Sequence, residues 1–108
     1  MTKLVGMDDY VGERVGAAYR RGREYIGGYL YFDETGITFD SSPSSSTRIG
    51  PIRIDYRDIV GLETYRLLGL RNNGLMVSAA DGTQHRIAVN KRSSIVEFVT
   101  SKISSQPS

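Results

Sequence analysis

The sequence contains no cysteine, which excludes disulfides, thiol nucleophiles and cysteine-based zinc sites. Histidine occurs once, at His85, so the usual histidine metal sites are out of reach as well, and neither a metal nor a cofactor is expected. No apolar run approaches the ~20 residues that a membrane-spanning helix needs. The stretch from Met1 to Gly12 has no long apolar segment after Lys3, which argues against a secretory signal. A cytoplasmic location is the expectation. Charge of one sign is also scarce: 14 basic residues against 12 acidic ones leave a net charge of +2. That balance is too weak to imply a nucleic-acid partner.

Catalytic motifs are missing too. There is no glycine-rich phosphate loop with a following lysine, and no serine sits in a nucleophile elbow. The acidic pairs Asp8–Asp9 and Asp33–Glu34 are direct neighbours, which point apart in extended chain and form no dyad. His85 has no nucleophile and orienting carboxylate placed around it by motif, so it reads as a structural histidine. A non-enzyme is expected.

What is present is a pattern of short strands in a chain of 108 residues, the size of one domain. Residues 1–11 read as a loose lead-in and 104–108 as a polar tail. A first strand starts at Arg14, and Arg20-Arg21-Gly22-Arg23 forms a basic turn. Glu24 to Phe32 and Ile37 to Asp40 follow as a hairpin. Ile26, Leu30, Phe32, Ile37 and Phe39 share one face of it by strict alternation, so a one-residue slip would turn that set to water. Gly36 is expected to supply a positive φ in the turn. Ser41 to Thr47 is a flexible loop by composition. Ile52, Ile54 and Tyr56 give a fourth strand, and Asp58 to Leu70 a fifth. Asn73-Gly74 is the signature of a tight hairpin turn leading into a sixth strand at Leu75. Asp81-Gly82 repeats that chemistry before a seventh, Thr83 to Val89. Ile95, Phe98, Val99 and Ile103 then recur at helical steps, with Ser94 and Glu97 at capping-box spacing and Asn90 as an alternative cap.

Seven short strands and a closing amphipathic helix, in this order, resemble a GRAM domain of the pleckstrin-homology-like superfamily. The residues that carry the resemblance are Gly28, Leu30, Tyr31, Phe32, Ile37 and Phe39, then Ile54 to Glu63, the Asp81-Gly82 turn and the helix. Asp33 stands where the family usually has Ser or Thr, and Ile87 where an aromatic is common. The resemblance implies a mainly β, seven-stranded two-sheet barrel capped by a C-terminal helix, in one domain spanning residues 1–108. It also implies a binding module, because relatives engage anionic lipid head groups or proteins.

Two groups of residues are the candidates. Arg20, Arg21 and Arg23 lie in the first hairpin loop, and several guanidiniums on a short loop can converge on a phosphate. Arg53 can join them if its outward face is adjacent. The alternative is a solvated polar turn. Tyr25, Tyr29 and Tyr31 share the outer face of the second strand and suit a protein interface, with cross-strand packing as the alternative. The leading expectation is an adaptor that binds a protein partner or another copy of itself. The second is attachment to anionic lipid, peripheral to the inner membrane face.

Overall fold

The computed structural model describes residues 10–44, 47–67, 71–90 and 92–105. Seven strands follow one another: β1 Arg14–Arg21, β2 Glu24–Phe32, β3 Gly36–Ser41, β4 Ile52–Asp55, β5 Ile59–Leu67, β6 Arg71–Ala79 and β7 Gln84–Val89. A single 3-10 turn, Tyr56–Asp58, links β4 to β5, and helix α1 spans Arg92–Ser104. All pairings are antiparallel, in the order β4-β3-β2-β1-β7-β6-β5. The expected two sheets are therefore one curled sheet. β1 joins its halves by pairing with β2 on one side and β7 on the other.

The inner face is the one that alternation selects. Ile26, Leu30, Phe32, Ile37 and Phe39 are all buried, as are Leu75, Val77, Ile87 and Val89. Burial on one face only fixes every register, since the side-chain period is two. Helix α1 closes one end. Ile95, Phe98 and Val99 are buried against the sheet, and Ile103 packs at the margin. Phe98 meets Tyr10, Phe32 and Tyr56 edge-on, with ring centroids 5.4, 5.7 and 6.4 Å away. Among the described residues no helix is long and apolar enough to cross a membrane.

Five expectations are corrected. Gly36 does not take a positive φ; the glycines that do are Gly12, Gly22, Gly50 and Gly82. Gly36 begins β3 instead, and a Cβ there would sit 2.5 Å from the Ile54 carbonyl oxygen. The turn is made by Asp33, whose Oδ1 accepts from the amides of Thr35 and Gly36 at 2.8 and 2.9 Å. Asn73-Gly74 is not a turn but lies inside β6, with Gly74 opposite Tyr65. Residues 68–70, which the fifth strand was expected to include, lie outside the described residues. Asp58 belongs to the 3-10 turn rather than to a strand. Ser94 is no helix cap: α1 begins earlier, at Arg92, and the Ser94 hydroxyl pairs with the Tyr10 hydroxyl at 2.8 Å. Tyr10, read as part of a loose lead-in, is only 2% exposed and sits in the core. Asp81-Gly82 does turn as expected. The Gly82 amide donates to the Ala79 carbonyl at 2.9 Å, and the Thr83 amide to Asp81 Oδ1 at 2.9 Å.

Candidate functional site

The outer face of β1 and β7 carries the candidate site. The β1–β2 hairpin turns at Gly22, whose φ of 63° suits glycine. Arg20, Arg21 and Arg23 are all exposed there. Arg20 Nε donates to the Gly22 carbonyl at 2.8 Å, which holds that side chain on its own turn. Arg20 is paired with Tyr25 across the hairpin. On its other side β1 runs beside β7, with Ala18 opposite Ala88 and Tyr19 opposite Ile87. The paired positions end there, and Arg20 and Arg86 are the next residues along the two strands. Both project outward, since their neighbours Tyr19 and Ile87 face the core.

A tyrosine bridge crosses the same face. The Tyr25 hydroxyl on β2 meets the Tyr65 hydroxyl on β5 at 2.9 Å, so the two side chains span the three strands between them. Gly74 makes this possible. The Tyr65 ring lies against it, and a Cβ there would come within 2.5 Å of the ring. Arg92 anchors the backbone below, donating from Nη1 to the carbonyls of Tyr65 and Gly74 at 3.1 and 3.3 Å. The Arg86 guanidinium carbon stands 5.7 Å from the Tyr65 ring centroid. Burial raises the Tyr65 pKa above the usual phenol range, and the hydrogen bond with Tyr25 adds to this; Arg86 and Arg20 pull the other way. The Tyr65 hydroxyl therefore keeps its proton near neutral pH. Among the described residues none of Arg20, Arg21, Arg23 and Arg86 forms an ion pair. A groove of about 260 Å³ is lined by Gly16, Ala18, Ala88, Asn73 and Asn90 among others.

Arg53 is elsewhere. It pairs with Thr38 on β3, which in turn faces Tyr31, at the end of β2 remote from the basic hairpin. Its guanidinium is occupied: Nη1 reaches Asp33 Oδ2 at 2.6 Å, Nε reaches Asp55 Oδ1 at 2.9 Å, and Nη2 reaches Thr35 Oγ1 at 2.6 Å. The hydrogen bond from Arg53 holds the Asp33 carboxyl well below the usual carboxylate range. The structure thus does not bring Arg53 to Arg20, Arg21 and Arg23.

The three tyrosines alternate onto the outer face, but they do not form one patch. Gly27 separates Tyr25, which belongs to the bridge, from Tyr29 and Tyr31. The latter two pack with ring centroids 6.4 Å apart, and the Arg14 guanidinium carbon stands 4.5 Å above Tyr29. Tyr31 is 40% exposed. His85 is buried and shares a 2.6 Å hydrogen bond between its Nδ1 and the Tyr19 hydroxyl. Among the described residues no three His, Asp or Glu side chains stand close enough together to hold a metal ion. The residue that sequence reading missed is Arg86. Its outward parity is legible beside Ile87, but that β7 lies against β1 is not.

Solved structures show the same fold. No family model and no curated protein matches the chain. The C-terminal domain of an unknown protein from Leishmania infantum superposes with a TM-score of 0.71 at 15% identity, covering 86% of this chain and 83% of that one. The Slm1-PH domain in complex with phosphoserine gives a TM-score of 0.63 at 11% identity, covering 86% and 95%. The same domain in complex with inositol-4-phosphate gives 0.57 at 8% identity, covering 84% and 92%. The fold is pleckstrin-homology-like: mostly β, a curled half-barrel of seven antiparallel strands, with one C-terminal helix.

Proposed function

We propose that this chain is a non-catalytic, GRAM-type binding module that takes a phosphate monoester on the outer face of β1 and β7. The observation that carries the reading is the nearness of Arg20 and Arg86 to Tyr65 of the Tyr25–Tyr65 bridge, with no carboxylate paired to either arginine among the described residues. Guanidiniums bind phosphate oxygens through short, charge-assisted hydrogen bonds, and phenol hydroxyls add neutral donors. Arg21 and Arg23 extend the positive rim. Support also comes from the similarly folded Slm1-PH domain, solved with phosphoserine and with inositol-4-phosphate. A protein working through such a site belongs in the cytoplasm, free or at the inner membrane face.

The test is calorimetric titration of the purified chain with inositol 4-phosphate and with O-phosphoserine at low salt. Binding is expected for at least one, and Arg86→Gln should weaken it by about tenfold or more, the effect of losing one charge-assisted contact. Physiological salt should weaken it further, because exposed charges are screened within ~8–10 Å. If neither compound binds at low salt, the reading fails.

A second reading, contact with a protein partner or a second copy, is favoured by Tyr29, the 40% exposed Tyr31 and Arg14 stacked on Tyr29. Tyrosine and arginine are the side chains enriched in interface cores. Light scattering over a wide concentration range, with Tyr31→Ser as the comparison, decides it for self-association. A strict monomer in both would remove that version.

A further inference from the structure

We propose that the phosphate recognised here belongs to an extended phosphorylated peptide, whose main chain lies in the groove beyond the tyrosine bridge. This rests on the phosphate reading above and adds the partner class to it. The argument begins with one ladder of outward positions. Along β1 these are Arg20, Ala18 and Gly16; along β7 they are Arg86, Ala88 and, just past the strand, Asn90. Ala18 faces Ala88 in the observed register. Each two-residue step covers about 6.6 Å, so the track from the arginines to Gly16 is about 13 Å, the length of four extended residues.

The composition of the track changes along its length in a way that fits such a ligand. One end carries two guanidiniums without ion pairs among the described residues. The other is floored by Gly16, Ala18 and Ala88, which leave a groove of about 260 Å³. Small side chains let another backbone come close. The groove also has a polar residue at one end. Asn90 stands exposed at the far end. The tyrosine bridge marks the boundary, because Tyr65 lies over Gly74 and Gly74 faces Ala88. Its two hydroxyls stand where a phosphorylated side chain would leave the groove for the arginines.

A lipid surface uses the same phosphate chemistry differently. It would use the exposed hairpin tip, and Arg21-Gly22-Arg23 is basic there but carries no apolar residue to insert. A few arginines near an anionic surface give only weak, reversible attachment. A membrane also makes no use of a groove set back from the hairpin tip.

The probe is an acetylated, amidated seven-residue peptide with phosphoserine at its centre and alanine elsewhere, labelled for fluorescence anisotropy. Its unphosphorylated form, inositol 4-phosphate, and vesicles of phosphatidylcholine with phosphatidylserine complete the set. The phosphopeptide should bind at least about tenfold more tightly than either the unphosphorylated peptide or inositol 4-phosphate. Gly16→Trp fills the groove: a Cβ at Gly16 meets nothing within 4 Å, so the backbone admits a side chain there, and an unchanged melting temperature checks that the fold is kept. That variant should lose the phosphopeptide by about tenfold while inositol 4-phosphate stays within about twofold. Gly16→Gln is the milder second variant, with the same pattern at smaller size. Arg86→Gln should weaken both ligands together.

If Gly16→Trp and Gly16→Gln bind the phosphopeptide like the wild type, or weaken both ligands equally, the groove is not the peptide site and the phosphate reading stands alone. If inositol 4-phosphate binds and the phosphopeptide does not, or if only the vesicles bind, the peptide proposal is overturned in favour of a head group. If no phosphate compound binds in any form, both readings fall.

Discussion

Replacing Phe98 by alanine should remove the plug that holds α1 on the open end of the sheet. Phe98 is 3% exposed and meets three aromatic rings edge-on. At about 25 cal/mol per Å², the loss of some 150 Å² of buried apolar contact is worth about 4 kcal/mol. The edge-on pairs add a further ~0.5–1.5 kcal/mol each at most, and partial collapse of the cavity offsets some of that. A loss of about 4 kcal/mol is a large share of the ~5–15 kcal/mol that a domain of this kind has. It corresponds to a fall in melting temperature of roughly 16 °C at ~4 °C per kcal/mol. Chemical denaturation followed by far-UV circular dichroism measures it directly, with Ile103→Ala as the control at the helix margin, where the loss should be much smaller. A change under about 1 kcal/mol for Phe98→Ala would mean that the helix contributes little to closing the barrel, and the packing argument would be wrong.

Gly36→Ala should destabilise by about 1–3 kcal/mol even though it restricts the unfolded chain, because its Cβ would meet the Ile54 carbonyl oxygen at 2.5 Å; a melting temperature equal to wild type would show that β3 and β4 shift apart at no cost. His85 is held below its ordinary pKa of 6.5 by burial, against the opposing pull of Asp81. Above that pH both folded and unfolded chains carry it neutral. Below it the unfolded chain takes up the proton first, so stability falls as pH drops from about 6.5 towards the folded value. His85→Gln should lose less melting temperature between pH 7.5 and pH 5 than the wild type, and equal losses would remove His85 as a source of the acid sensitivity.

Periodicity made the core legible and topology only partly so. Ile26, Leu30, Phe32, Ile37 and Phe39 could be placed inside because alternation is a local property, and they are inside. Turn chemistry misled where a long-range contact decided the outcome. Asn73-Gly74 is a strong local turn signal, yet Gly74 is used to seat the Tyr65 ring, a demand made by a residue on another strand. Gly36 is likewise required by the carbonyl of Ile54, not by its own φ. Tyr10 carries no periodic partner in the sequence, so nothing local marks it as the residue that packs between Phe32 and Phe98.

The same distinction governs the candidate site. Outward parity could be assigned to Arg53 and the three tyrosines from the sequence, and the structure keeps that parity; Arg20, read as part of a basic turn, lies near the end of β1. Availability could not be assigned. Arg53 and Arg20 are alike as residues on an outer face, but Arg53 lies between Asp33 and Asp55 and would have to leave two carboxylates to bind anything else. Its raised pKa, caused first by its hydrogen bond to Asp33, records how strongly that neighbourhood holds the charge. Arg20 gives only one hydrogen bond, to a carbonyl on its own turn, and loses little by turning to a ligand. Arg86 is oriented by an aromatic face, which positions a guanidinium without neutralising it. The candidate arginines are therefore of two kinds: Arg53 at β4 is already neutralised, whereas Arg20 at β1 and Arg86 on β7 have no carboxylate partner among the described residues. The proposed function sends phosphate to the second kind.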